Sequence, residues 1–279
     1  MKKFLAAFDG LKYSTSTRDY ATWLAKITDT HLVGLFMDDP SYTSYKIYEL
    51  ISKEGAAEDQ LKKFDEEDKK VRASSSADFE KHCQEEKLEF SLHHDRKIAL
   101  QELKHESAYA DLVIINETET LTHHTESLPT RFMRDFLCDT QCPVLVVPDT
   151  FKPIEKITLL YDGWPSSIHA IKMFSYLLPE LKGLETELIS VKPPHTSLHL
   201  PDNRLMKEFM KRHYPEARFT VLDGITEEEI LNKLRQSEAN SLVVLGAYRR
   251  STVSRWLHES LADTLMKELD LPLFIAHNK

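Results

Sequence analysis

Two aspartates close two apolar runs, Phe4-Leu5-Ala6-Ala7-Phe8-Asp9-Gly10 and Ile157-Thr158-Leu159-Leu160-Tyr161-Asp162-Gly163. A carboxylate at the carboxyl end of a buried strand can hold the hydroxyls of a ribose. An equally simple reading is a turn, in which Asp bonds its own backbone and Gly supplies the unusual dihedrals. A second pair of positions follows later in each half: Asn116 ends the run Leu112–Ile115, and Gly246 ends Leu242–Leu245. A glycine there, ahead of a helix start, suits phosphate reception by backbone N–H groups.

These positions recur because whole runs recur. Residues 110–116 parallel 240–246, and residues 142–147 parallel 271–276. A period of about half the chain predicts two copies of one domain. The boundary falls near Asp149–Pro153, giving domains 1–149 and 150–279. The short runs are β-branched or aromatic and lack polar alternation, as expected of parallel strands buried on both faces. Between them, Tyr20, Ala21, Trp23, Leu24 and Ile27 fall on one helical stripe, and Ile171, Phe174, Leu177, Leu178 and Leu181 on another. Ser14 and Ser167 are the expected openings of these helices. Further helices are expected over 57–86, around 202–213, from Ile98 and from Thr226, where Glu227–Glu229 complement the helix dipole. Each half therefore reads as a doubly wound α/β unit. Residues 54–87 mix Glu, Asp and Lys and read as a solvated helix.

The chain of 279 residues carries a net charge of −9, which argues against a nucleic-acid partner. No run approaches the length of a membrane span, and the apolar start is too short for a signal peptide. Cys83, Cys138 and Cys142 lack zinc spacing and suit a reduced cytoplasmic protein. The pairs His93/His94, His123/His124 and His195/His199 lack the spacing of metal ligands, so no metal is expected. No nucleophile elbow, Walker loop or HExxH sequence is present, and no enzymatic activity is expected.

The strand closed by Asp-Gly, the helix after it, the Leu242–Gly246 strand and the closing Pro272–Ala276 strand resemble the universal stress protein family. The resemblance covers nearly the whole chain, in tandem two-domain form, with 57–86 the least typical part. It implies an adenine nucleotide α-hydrolase-like fold in each half and ATP or another adenine nucleotide as ligand. The family signature is a glycine, two residues, a glycine, nine residues, then a glycine followed by Ser or Thr. In the second copy Gly246 matches the first glycine, Arg249 stands at the second, Glu259 at the third, and Ser260 keeps the hydroxyl. Those glycines let backbone N–H groups approach phosphate oxygens. Arg249, Arg250 and Arg255 offer charge-assisted bonds in their place, whereas Glu259 opposes them. The expected nucleotide site is thus Asp162, Gly163, Gly246, Arg249, Arg250 and Ser260.

The first copy has no glycine after Asn116 before the domain ends, and Glu117 and Glu119 set carboxylates where phosphates need donors. Glu126, Thr130 and Arg131 do not rebuild an anion nest. This site is expected to be closed to ATP, with Asp9 kept as a turn residue. The resemblance implies a cytoplasmic stress-response sensor or regulator that binds nucleotide only in its second domain. A ligand-free scaffold with both sites decayed is the alternative. It also implies that the two domains pair through Val144–Val147 and Leu273–Ala276, burying both strand edges. Association into a homo-oligomer is left open.

Overall fold

Phe4, Ala6 and Phe8 pack on one face of the sheet and Leu5 and Ala7 on the other, and all five are buried. This period of two, apolar on both sides, is what a strand needs when helices cover both faces. The computed structural model describes residues 2–39, 58–95, 98–194, 199–237, 240–247 and 260–277. The strands are β1 (Lys3–Asp9), β2 (His31–Met37), β3 (Phe90–Asp95), β4 (Leu112–Asn116), β5 (Val144–Val147), β6 (Lys156–Leu160), β7 (Glu185–Lys192), β8 (Arg218–Asp223), β9 (Ser241–Leu245) and β10 (Leu273–Ile275). They form one ten-stranded sheet in the order β3-β2-β1-β4-β5-β10-β9-β6-β7-β8. The pairings are parallel except β5 with β10, which run antiparallel with Leu145 opposite Phe274. The apolar last strands thus cover each other's edges at the centre of the sheet.

Helices α1 (Thr15–Thr28), α2 (Glu58–Glu85), α5 (Pro165–Leu177) and α6 (Asn203–His213) pack on one face. Helices α3 (Ala99–Ser107), α4 (Arg131–Asp139), α7 (Thr226–Arg235) and α8 (Leu261–Glu268) pack on the other. The result is an α/β sandwich of three layers. Among the described residues no helix is long and apolar enough to cross a membrane.

The stretch joining the halves is tied down by side chains from both. The Phe151 ring meets Tyr20 edge-on at 4.7 Å, and Asn240 Nδ2 donates to the carbonyls of Lys152 and Pro153 at 2.8 and 2.9 Å.

Three sequence expectations are corrected. Ser14 does cap α1, accepting from Thr17 N at 3.1 Å, but Ser167 does not open α5. That helix starts earlier, with Trp164 as the cap and Pro165 in the first turn, because proline has no N–H to satisfy and a helical φ already set. The first strand of the second half ends at Leu160, so Asp162 stands beyond it, whereas Asp9 is the last residue of β1. Finally, α2 is not solvated on every side. Asp68, Ser75, Phe79 and Cys83 recur at helical spacing and are buried. Phe79 lies over β2 so closely that a Cβ on Gly34 would come within 2.7 Å of its ring.

Candidate functional site

In a doubly wound sheet, ligands meet the carboxyl ends of the strands where the strand order reverses. Here these places are β1/β4 and β6/β9. The β1–β2 ladder runs on to Asp9 opposite Met37, while the β1–β4 ladder stops at Ala6 opposite Ile114. The end of β1 thus faces a gap that residues after β4 must fill.

At β6/β9 the Asp162 side chain is exposed. Its Oδ1 accepts from Trp164 N at 2.9 Å and from Ser167 Oγ at 2.8 Å, fixing the first turn of α5. Gly163 adopts φ +87°, a conformation that favours glycine, and a Cβ there would lie 2.7 Å from the Pro201 ring. Gly246 follows β9 against the same helix start. A Cβ at Gly246 would come within 2.5 Å of the Ser166 carbonyl carbon and 2.8 Å of Ser167 N. Ser260 caps α8: its Oγ accepts from Ala262 N at 3.1 Å, and the Asp263 carboxylate accepts from Ser260 N at 3.3 Å. Asp162, Gly163 and Gly246 are therefore gathered at the start of α5, and Ser260 stands at the start of α8. Arg249 and Arg250, with Arg255 and Glu259, lie outside the described residues, as does His195.

At β1/β4 a cleft of about 250 Å³ opens between Lys12, Ser14 and Thr15 on one side and Asn116, Glu119 and Asp149 on the other. Asp9 Oδ1 accepts from Leu11 N at 2.8 Å, the turn bond expected of it. Asp9 is more than a turn residue, however. Its side chain is only 2% exposed, and Oδ2 is buried without a hydrogen-bond partner. Glu119 reaches back towards it, with Oε1 accepting from Thr120 N and Leu121 N at 3.0 Å each. Thr130, the cap of α4, donates its hydroxyl to the Glu119 carbonyl. Asn116 Oδ1 accepts from Thr118 N at 2.8 Å, while Asn116 Nδ2 and Glu117 Oε2 are buried without partners.

The nearby cations bond within the protein, while Arg72 Nε is buried without a partner. Lys12 Nζ donates to Thr120 Oγ1 and to the Thr122 carbonyl. Arg72 of α2 lies against Gly10 and pairs with Asp38 at 2.8 Å, and Ser75 Oγ donates to the Gly10 carbonyl at 2.9 Å. Burial pushes the Glu117 carboxyl up to about 8, helped by the charges of Asp270 and Asp149. Burial and the neighbouring Asp9 raise Glu119 to about 7. Burial also raises Asp9, against the pull of the Leu11 and Lys12 N–H groups, Lys12 and Arg72. Each of these carboxyl groups, when ionised, opposes a further negative charge placed beside it.

The sequence signals Glu117 and Glu119 as carboxylates but not as buried ones. Arg72 escapes it too, although the spacing Asp68, Arg72, Ser75, Phe79, Cys83 marks the docked stripe of α2. Among the described residues no three His, Cys, Asp or Glu side chains gather as a metal site.

The Glu117 shift carries a pH dependence. A raised carboxyl holds its proton in the folded chain after the unfolded chain has lost it. The associated stability is present below the ordinary carboxylate value of 4.5 and is lost as pH rises to about 8. The stability difference between the native chain and Glu117→Gln is expected to shift steadily against the native chain across that window. Urea unfolding from pH 4.5 to 8.5 checks it; a difference constant with pH would contradict it.

No protein-family model matches the chain, and no curated protein matches it. Solved structures do. A universal stress protein from Archaeoglobus fulgidus DSM 4304 superposes with a TM-score of 0.71 at 14% identity, covering 99% of this chain and 98% of that one. The chain has the universal stress protein fold. A proposed universal stress protein from Pseudomonas aeruginosa UCBPP-PA14 gives 0.64 at 16% identity, with 99% of this chain and 92% of that one covered. A functionally unknown protein from Pseudomonas aeruginosa PAO1 gives 0.62 at 13% identity over the same shares. At such identities the likeness is one of fold, and it spans both halves of the sheet.

Proposed function

We propose that the chain is a tandem universal stress protein, built of domains 1–149 and 150–279 by duplication. It acts in the cytoplasm as a non-catalytic regulator of the stress response, and any adenine nucleotide binds at its second domain alone. One observation carries the choice of domain: Asp162 is exposed while its counterpart Asp9 is buried beside Glu119. A solvent-facing carboxylate can meet ribose hydroxyls, and a buried one cannot without first being uncovered. Asp162 would hold the ribose, Gly163 and Gly246 would keep side chains out of the way, and Arg249 and Arg250 would face the phosphates. Ser260 uses an oxygen lone pair to cap α8 and keeps its hydroxyl proton for donation.

A scaffold that takes no nucleotide is the second reading. It is favoured by Gly246, whose missing Cβ is already required by α5 packing and so need not signal a phosphate. Calorimetric titration with ATP, ADP and AMP separates the two. The nucleotide reading expects heat from the native chain, lost in Arg249→Ala/Arg250→Ala and kept in Asp9→Asn. No heat at millimolar nucleotide would leave the scaffold.

A further inference from the structure

The Asp9 carboxyl combines two features that conflict unless a proton is present. One oxygen is satisfied by the turn, and the other is buried with no partner. An unpaired buried carboxylate oxygen costs more than an unpaired neutral group, and protonation turns it into a donor in need of an acceptor. The Glu119 carboxylate stands beside it, past the point where β4 stops pairing with β1. The Asp9 N–H reaches that carboxylate, as do the N–H groups of Thr120 and Leu121.

We infer that Asp9 and Glu119 form a carboxyl pair that holds one proton between them and fastens residues 117–130 over the end of β1. The fastening has further members on both sides. Lys12 holds the segment through Thr120 and Thr122, and Thr130 holds its far end to the Glu119 carbonyl. Leu121 is buried beneath it at φ +52°, a backbone shape that the Glu119 bond helps to keep.

The charged groups around the pair come from several elements. Lys12 from the turn and Arg72 from α2 favour ionisation of Asp9, but Arg72 is shared with Asp38 at the end of β2. Glu117, on the segment itself, is set against Asp149 and Asp270 and is itself raised, so below about pH 8 it adds little negative charge. His123 and His124 are exposed on the outer side of the segment.

Loss of the shared proton leaves two negative charges in one buried place, and solvating them means lifting the segment. The sign follows from linkage: the closed segment keeps a proton that the open one has lost. Closure is strongest below the ordinary carboxylate range and weakens as pH rises to about 7, where the pair gives up its shared proton in the closed form. The device makes the β1/β4 cleft shut in acid and looser near neutrality. It stands whether or not a nucleotide binds the other half.

The test is made on the full chain. Side-chain carboxyl ¹³C shifts are followed from pH 3 to 9, with hydrogen exchange of amides 117–130 corrected for intrinsic rates. The expected result is two steps for Asp9 and Glu119, one of them close to neutrality. Opening of the segment should rise by up to about tenfold per pH unit between the steps and then level off. Glu119→Gln should flatten that rise, and His123→Gln/His124→Gln should preserve it. Ionisation of both carboxyls below pH 5 would overturn the inference. So would an unchanged rise in Glu119→Gln, or its loss in the histidine variant. Should Glu119→Gln fail to fold, the native carboxyl titration alone decides.

Discussion

Phe79→Ala is expected to destabilise the chain by about 3–5 kcal/mol, the range for truncating a buried aromatic side chain. Phe79 is fully buried, with its ring centroid 5.4 Å from Phe8, 6.0 Å from Phe36 and 6.4 Å from Phe90. Its edge also fills the space that Gly34 leaves open on β2. Relaxation into the cavity is restricted on the strand side by backbone and on the other by neighbouring rings, which places the loss towards the upper part of the range. Phe64 on the same helix is 38% exposed, and Phe64→Ala is expected to cost well under about 1 kcal/mol. Urea denaturation of both variants measures the contrast. Equal, small losses would mean that α2 is the solvated helix its charges suggest.

The second large effect is expected at Gly246. Alanine there brings a methyl group within 2.5 Å of the Ser166 carbonyl carbon and 2.6 Å of its oxygen. These are backbone atoms in the first turn of a helix, so they cannot swing aside as the end of a side chain would. Either β9 or α5 must shift, at a cost of about 3 kcal/mol. In a chain of this size that lowers the melting temperature by roughly 5 °C. Gly183 has no atom within 4 Å of an added Cβ, so Gly183→Ala is the matched control and should melt close to the native chain. Thermal unfolding by circular dichroism measures both. A native-like melt for Gly246→Ala would show that the junction between β9 and α5 is looser than the geometry requires.

The strands are legible in the sequence because burial on both faces leaves them as unbroken apolar runs such as Leu112–Ile115 and Val144–Val147. The alternation of these runs with helices signals the parallel, doubly wound arrangement, while the strand order comes from the structure, where the apolar closing runs meet as antiparallel neighbours. The start of α5 is misread from Ser167 because proline at the first position outweighs a serine cap further along. The docking of α2 is hidden because its one buried stripe is flanked by Lys, Glu and Asp, which dominate any composition-based reading.

The two switch points fail differently. The turn role of Asp9 and the carboxylates at Glu117 and Glu119 can be read directly. Their burial cannot, because it arises only in the folded loop, where Glu119 takes bonds from Thr120, Leu121 and Thr130. Gly246 shows the converse: a residue whose type suggests a ligand is also demanded by packing.

The proposal that nucleotide binds at the second half alone is tested most directly by a crystal structure of the full chain grown with millimolar ATP at pH 7. The expected result is ordered nucleotide beside Asp162 and Gly246, with residues 116–131 free of phosphate. Ordered triphosphate against residues 116–131 would contradict it.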